Sequence, residues 1–243
     1  LFMGGRQGGF GYSLYGSHLQ QHGWRDHSAM QNTFSQAKLN FQTSANSDLM
    51  LVFREFYSPL SKDPGGLTYA EMQANPRQAS ARNVQYNAGE EIRQEEMGIR
   101  FRQRPAAGKE FTVTAHMLHR DFQSRQPFFD GGQVQFDRLV GGLMAQFVND
   151  HQLLNRPNRF LIGADYGIQN DDRQRFNNNF GKRDALNLSQ TERVHSIGPF
   201  IRNEWNIVEK LDLVIGGRWD WLHYQVKDQF RNDGNESGSR TVS

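Results

Sequence analysis

The side chains able to do chemistry fall into a few groups, and their spacing limits what each can do. Arg120 and Arg125 stand just ahead of the pair Phe128-Phe129. Arg173 and Arg175 form a second basic pair, with Asp171 and Asp172 beside it as ready neutralising partners. A guanidinium fork suits carboxylate recognition because it donates in a bidentate way. Adjacent Phe rings either stack on a planar group or pack their own loop. A third group is Trp24, Arg25 and His27, in a polar run where His22 and His27 bracket Trp24-Arg25-Asp26; it reads as a ligand contact or as solvated loop.

Catalysis finds less support. His116 and His119 would share a metal on a helix, but strand alternation sends them to opposite faces. Gly4-Gly5 and Gly8-Gly9-Phe10-Gly11 match neither the dinucleotide nor the P-loop spacing and read as flexible turn. No nucleophile elbow or ordered triad is present. The nearest Ser/His pair is His18 with Ser35 across one hairpin, without an acid on that face to orient the His. Cysteine is absent, which removes thiolate chemistry. The chain therefore reads as a binder and not an enzyme, with no cofactor.

The elements that must hold these groups are strands. From Leu211, the residues Leu211, Leu213, Ile215, Gly217, Trp219 and Trp221 share one face, against Asp212, Gly216, Arg218 and Asp220. Period two over such a length is a strand between two different environments. The same rhythm recurs, and the expected strands lie near 10–21, 32–43, 49–57, 92–103, 110–121, 133–148, 159–169, 194–207 and 211–224. Turns after even-numbered strands are short. Connections after odd-numbered ones are polar and mostly longer, notably 58–90, with a short helix expected at 68–74, and 170–193. Six of the seven prolines fall in these connections; Pro199 lies inside the eighth strand and predicts a bulge or a shifted boundary there.

Hydrophobic residues make up only 36% of the 243 and mean hydropathy is −0.77. No run approaches the length of a transmembrane helix, but a barrel with every second residue on a wet lumen also averages as polar. Net charge is +2 with no basic run, which gives no case for nucleic acid. Strands of nine or more residues match the ~9–11 that cross a bilayer. One-sided long loops, and aromatic residues at strand ends (Tyr12, Tyr57, Trp205, Trp219, Trp221, Tyr224), fit a membrane barrel better than a soluble β-sandwich. The chain opens at Leu1 without Met and reads as a mature segment or an internal fragment.

The run from Gly198 to Trp221 resembles the late-barrel hairpin of TonB-dependent outer-membrane receptors. The matching positions are Phe200, Glu204 and Trp205, then Leu211, Leu213, Gly216, Arg218, Trp219 and Asp220. The segment from Gly23 to Ala29 resembles the first-loop pattern of iron-complex receptors. The segment from Asp63 to Gln78 resembles a long loop of the ferric-citrate-like branch. The resemblance implies an all-β, transmembrane antiparallel β-barrel in the bacterial outer membrane, with ~22 strands around a plugged lumen. Residues 1–243 would supply about nine strands of its middle-to-late portion, with the plug domain outside this chain. It implies import of a ferric chelate, siderophore or citrate-like, energised through TonB acting on that plug. The chelate is cargo and not a cofactor, and the lipid bilayer is the other partner. Trp24, Arg25, His27, Arg120, Arg125, Phe128, Phe129 and Arg173 are the expected ligand-binding residues. A receptor for pyrroloquinoline quinone or a cobalamin-like solute, or a passive porin-type barrel, stays open. Arg218 and Asp220 are expected to form an ion pair on the lumen side.

Overall fold

The computed structural model describes residues 1–243. Twelve strands run β1 Phe2–Gln7, β2 Phe10–Gln21, β3 Met30–Ser44, β4 Ser47–Lys62, β5 Gly89–Ala106, β6 Lys109–Arg125, β7 Gln133–Leu153, β8 Arg156–Asn179, β9 Lys182–Val208, β10 Leu211–Arg218, β11 Trp221–Asp228 and β12 Gly238–Val242. Two short helices, α1 Tyr69–Ala74 and α2 Ala81–Gln85, lie between β4 and β5. The strands form one antiparallel meander in chain order, with β10 also paired to β9.

Register converts the alternation of single strands into two continuous faces. One transverse row reads Tyr12, Leu39, Leu51, Ile99, Ala115, Leu143, Tyr166, Ile197 and Trp221 across successive partners. One residue along, the row is Ser13, Lys38, Val52, Gly98, His116, Gly142, Gly167, Ser196 and Leu222. The sheet has almost no core of its own: Ala88 and Val148 are the buried hydrophobic residues. On the apolar face Phe53, Met97, Met117, Leu143, Ile162 and Ile201 stay 41–48% exposed. An apolar surface of this extent needs a non-aqueous neighbour, and the polar opposite face fits the wet interior of a barrel.

The two ends of the sheet differ. At one end every hairpin closes in two residues: Gly8-Gly9, Ala45-Asn46, Ala107-Gly108, Leu154-Asn155 and Glu209-Lys210. Leu154 and Asn155 both take positive φ, 52° and 60°, as a type I′ hairpin turn demands. At the other end lie the connections 22–29, 63–88, 126–132 and 229–237, and the tight turn Phe180-Gly181.

Three expectations are revised. The Gly-rich opening is flexible turn only at Gly8-Gly9, Gly8 at φ 56°; Gly4-Gly5 lie in β1 and Phe10-Gly11 in β2, and the two strands pair. Residues 170–193 are not a loop. They are the upper parts of β8 and β9, which are 24 and 27 residues long. Above the bilayer both faces of a sheet meet water, so alternation disappears while the ladder continues. The third revision concerns proline. Pro59, Pro105 and Pro157 lie within β4, β5 and β8, the first two inside register shifts between Ser58 and Ser61 and between Gln103 and Ala106.

Pro199 makes no bulge in the β8–β9 ladder, where it pairs with Ala164 in unbroken register. Its effect is on the other side. The Trp219 N–H donates to the Pro199 carbonyl at 3.1 Å, but proline has no N–H to return. The ladder is interrupted there, and the expected strand 211–224 appears as β10 and β11, both paired to β9. The helix expected at 68–74 is α1, whose capping box is complete: Thr68 Oγ1 accepts from the Glu71 N–H, and Glu71 Oε2 accepts from the Thr68 N–H at 2.7 Å.

Candidate functional site

Polar groups converge on the lumen face toward the long-loop end of β5–β9. Their rows share the parity of Lys38 and His116. One reads Gln94, Arg120, Arg138, Asp171 and Glu192; the next reads Ile92, Phe122, Phe136, Arg173 and Gln190. Arg138 is held hard. Its Nε and Nη2 donate to the two Asp171 oxygens at 2.8 and 2.5 Å, and its guanidinium lies 4.8 Å from the Phe136 ring centre. Phe136 in turn stacks on Phe122 at 4.8 Å. Asp171 is 1% exposed and also accepts from Gln169 Nε2 at 3.1 Å.

The neighbouring guanidiniums are less committed. Arg120 donates only to the neutral Gln94 Oε1, from Nε at 2.6 Å and from Nη2. Arg173 reaches Glu192 at 3.4 Å through Nη1, and its Nε is buried without an acceptor. A buried donor left unmet costs more than an ordinary hydrogen bond gains, so Arg120 and Arg173, in adjacent rows, keep donor capacity unspent.

The other expected residues lie in different settings. Arg25 is spent on the loop itself: it donates to the carbonyls of Gly65, Gln78 and Pro64 at 2.6, 2.9 and 3.2 Å, clipping 22–29 onto 63–88. His27, at φ 53°, holds the Ala88 carbonyl at 2.9 Å through Nε2. Trp24 is 61% exposed, and its carbonyl accepts from Arg77. Phe128 and Phe129 sit half-exposed on 126–132, and the Phe129 carbonyl accepts from Asn178 N–H at 2.8 Å. Arg125 falls on the outward alternation, bonded to Glu91 at 2.6 Å and to the Asn87 carbonyl at 3.2 Å. The structure thus places Arg120 and Arg173 together on the lumen face, and the aromatic and loop residues above them.

Lys62, at the top of β4 above the bilayer, donates to Asn87 Oδ1. Its burial, then the neighbouring Arg125, push its pKa down. The loops are pinned by Asn178, which is fully buried. Its Nδ2 donates to the carbonyls of Tyr86 and Gln126 at 3.1 and 2.8 Å, and its Oδ1 accepts from Gly181 N–H at 2.9 Å and Gln133 Nε2 at 3.3 Å. Sequence reasoning passed over Arg138 and Asn178. Arg138 was findable, because it precedes the outward Leu139 by one residue and so must face the lumen. Nothing local distinguishes Asn178 from its neighbours Asn177 and Asn179.

The expected lumen ion pair is present. Arg218 donates to Asp165 Oδ2 at 2.6 Å and to Asp220 Oδ1 at 2.6 Å. Gly198 makes room for it: a Cβ there would lie 2.1 Å from Arg218 Nη2.

The comparisons agree with this architecture. The family described as "TonB dependent receptor-like, beta-barrel" matches residues 4–243. The ferric citrate transporter FecA, in its unliganded form, superposes with a TM-score of 0.86 at 15% identity over 99% of this chain and 37% of that one. The siderophore receptor PiuA from Acinetobacter baumannii gives 0.74 at 10% identity over 96% of this chain and 42% of that one. The ferric-catecholate import receptor Fiu from K12 E. coli, in a closed form, gives 0.71 at 9% identity over 100% and 43%. At such identities the likeness speaks for the fold, and the chain spans 37–43% of the length of these receptors. With a family match over nearly its whole length, the chain belongs to the TonB-dependent receptor β-barrel family.

Proposed function

We propose that this chain forms part of a bacterial outer-membrane receptor that imports an anionic ferric chelate, citrate-like or siderophore, with energy delivered through TonB. One observation carries the reading. On the lumen face below the long loops, Arg120 ends on a neutral amide and Arg173 keeps a buried N–H without an acceptor. Guanidiniums held this way are set for carboxylate or hydroxamate oxygens. Phe128 and Phe129 on 126–132 offer flat apolar contact, and Trp24 stands exposed on 22–29. The ferric citrate transporter and the ferric-catecholate import receptor of like fold support the chemical class. Arg25, His27 and Arg125 contribute by holding the loops that carry the contact residues.

The test is uptake of labelled ferric citrate by a strain lacking this gene, complemented with the native protein or with Arg120→Gln/Arg173→Gln. Native complementation restores uptake, and the double variant loses roughly ten- to a hundredfold in affinity, the size of one or two charge-assisted hydrogen bonds. Unchanged uptake in the deletion strain sinks the citrate version. Uptake that persists without TonB sinks the energised version and leaves a passive pore.

A further inference from the structure

Two histidines meet on the outward face where the lipid belt ends. The outward apolar run stops at Ile168 on β8, Ile197 on β9 and Trp221 on β11, and the next outward positions are Asn170, His195 and His223. Polar residues that end such a run stand at headgroup depth, in contact with water. His195 and His223 are direct partners in the β9–β11 ladder, with no residue between them. Facing side chains in a ladder start from Cβ atoms ~4.5–5.5 Å apart. Each ring is held from its far side. The Tyr166 hydroxyl on β8 bonds His195 Nδ1 at 2.9 Å, and the Thr241 hydroxyl on β12 bonds His223 Nδ1 at 3.0 Å. The strand order is β8, β9, β11, β12. The two Nδ1 edges therefore turn away from each other, and the Nε2 edges turn toward the space between β9 and β11. The Trp221 ring stacks within 9° of parallel on His223 at 5.9 Å and fixes that ring plane.

We infer that His195 and His223 form a two-imidazole seat for a divalent transition-metal ion of the zinc class, bound through the two Nε2 atoms. A hydroxyl oxygen accepts as readily as it donates, so Tyr166 and Thr241 can each take an Nδ1–H and leave Nε2 its lone pair. That outer hydrogen bond is what a metal-bound imidazole calls for. At metal–nitrogen distances of ~2.0–2.1 Å, two nitrogens on a tetrahedral ion sit about 3.3 Å apart. Rings rising from neighbouring Cβ atoms close to that separation by leaning together. Imidazole suits zinc, copper and nickel and not magnesium or calcium. Water fills the remaining positions. Arg193, the next outward residue on β9, opposes a cation, but it is drawn to Asn170 Oδ1 at 2.9 Å. The position gives the ion a structural task. Just below it Pro199 interrupts the ladder and leaves β10 and β11 as separate strands on β9. A metal clip from His195 to His223 fastens the start of β11 to β9 beside that break.

The experiment is histidine labelling by diethylpyrocarbonate on the protein in detergent, read peptide by peptide by mass spectrometry across a Zn²⁺ titration. The pH is held above the ordinary imidazole value of ~6.5, so that the rings are neutral and able to ligate. Zn²⁺ is expected to slow labelling of His195 and His223 together, with one shared midpoint. His18 is the internal reference. Its Nδ1 bonds the Thr33 hydroxyl at 2.9 Å in the same way, but its ladder partner is Thr33 and not a second imidazole, so it keeps its rate. In His195→Ala the protection of His223 disappears, and in His223→Ala that of His195. Tyr166→Phe raises the shared midpoint ~10–100-fold, the usual cost of removing a metal ligand's outer hydrogen-bond partner. Labelling indifferent to Zn²⁺ overturns the inference. So does protection of one His without the other, protection of His223 that survives in His195→Ala, or an unmoved midpoint in Tyr166→Phe. Equal protection of His18 overturns it as well, because it marks an adventitious ion only.

Discussion

Asn178→Ala should unfasten the loop end without weakening the barrel. The native side chain closes four hydrogen bonds inside a fully buried site: two carbonyls, Tyr86 and Gln126, one backbone N–H, Gly181, and one side-chain amide, Gln133. Alanine leaves all four without a partner. A typical net contribution is about 1 kcal/mol per bond, and an orphaned buried group costs ~1–3 kcal/mol, with water entering to recover part of it. We take roughly 2–4 kcal/mol for the site, which is about 30- to 700-fold in a local opening equilibrium. Hydrogen exchange of the detergent-solubilised protein reads this directly. Peptides covering 81–88, 126–132 and 177–183 should exchange faster by that factor, while β5–β8 below them keep their protection. Exchange unchanged in 81–88 and 126–132 would refute the view that one amide ties three segments. A comparable loss in the membrane-level strands would refute its local character. Asn178→Asp is the sharper control: it retains an acceptor for Gly181 but points a carboxylate at two carbonyls, so it should open the loops at least as far.

Three further outcomes can be checked. Asp171→Asn strands the Arg138 charge on a part-buried face, and breaking such a pair costs about 3–5 kcal/mol when fully buried; Arg138 keeps some solvent access, so a smaller loss is expected, seen as faster exchange confined to the upper halves of β7 and β8. Gly198→Val drives a side chain into the space of Arg218 Nη2, and heat-modifiability on gels should show unfolding at a lower temperature, with Gly217→Val, whose added Cβ meets nothing within 4 Å, as the neutral comparison. The Glu71 carboxylate is held below its ordinary value of 4.5 by the backbone and hydroxyl bonds of Thr68. Its contribution to α1 is therefore fully present above pH 4.5 and is lost as pH falls through the lowered value. Protection in 68–75, referred to the intrinsic exchange rate at each pH, should fall on that descent, and in Thr68→Ala the fall should begin at higher pH.

The membrane-level part of the fold was legible because it has two solvents. Leu49-Leu51-Phe53 and Met97-Ile99-Phe101 alternate cleanly since lipid and lumen impose opposite demands on adjacent residues. Alternation names the outward residues of each strand, and register joins them into the row from Tyr12 to Trp221. Above the bilayer that contrast ends. Asn170 to Asn179 carries amides and charges on both faces, and composition alone makes it look like a loop. The pairing with Lys182–Arg193 is a property of two segments together and leaves no mark on either. Pro199 was visible as an anomaly, but whether a missing N–H disturbs the strand before or after it depends on which neighbour that N–H would have faced. For the site, chemical type was readable and partnership was not. Arg25 and Arg120 look alike in sequence, yet three backbone carbonyls satisfy one and a single neutral amide meets the other.

The two-residue turns carry a consequence for how such a chain can vary through descent. A residue inserted into Leu154-Asn155 or Ala107-Gly108 has no slack to absorb it. It passes into the following strand, shifts alternation by one, and exchanges lipid-facing for water-facing side chains along a whole strand. The connections 22–29 and 63–88 absorb the same insertion as a slightly larger loop. Length changes are therefore filtered at the two-residue turns, Phe180-Gly181 included, and tolerated in the long connections. A chain with this sheet can change the reach and shape of its outer surface more readily than the length of its turn end.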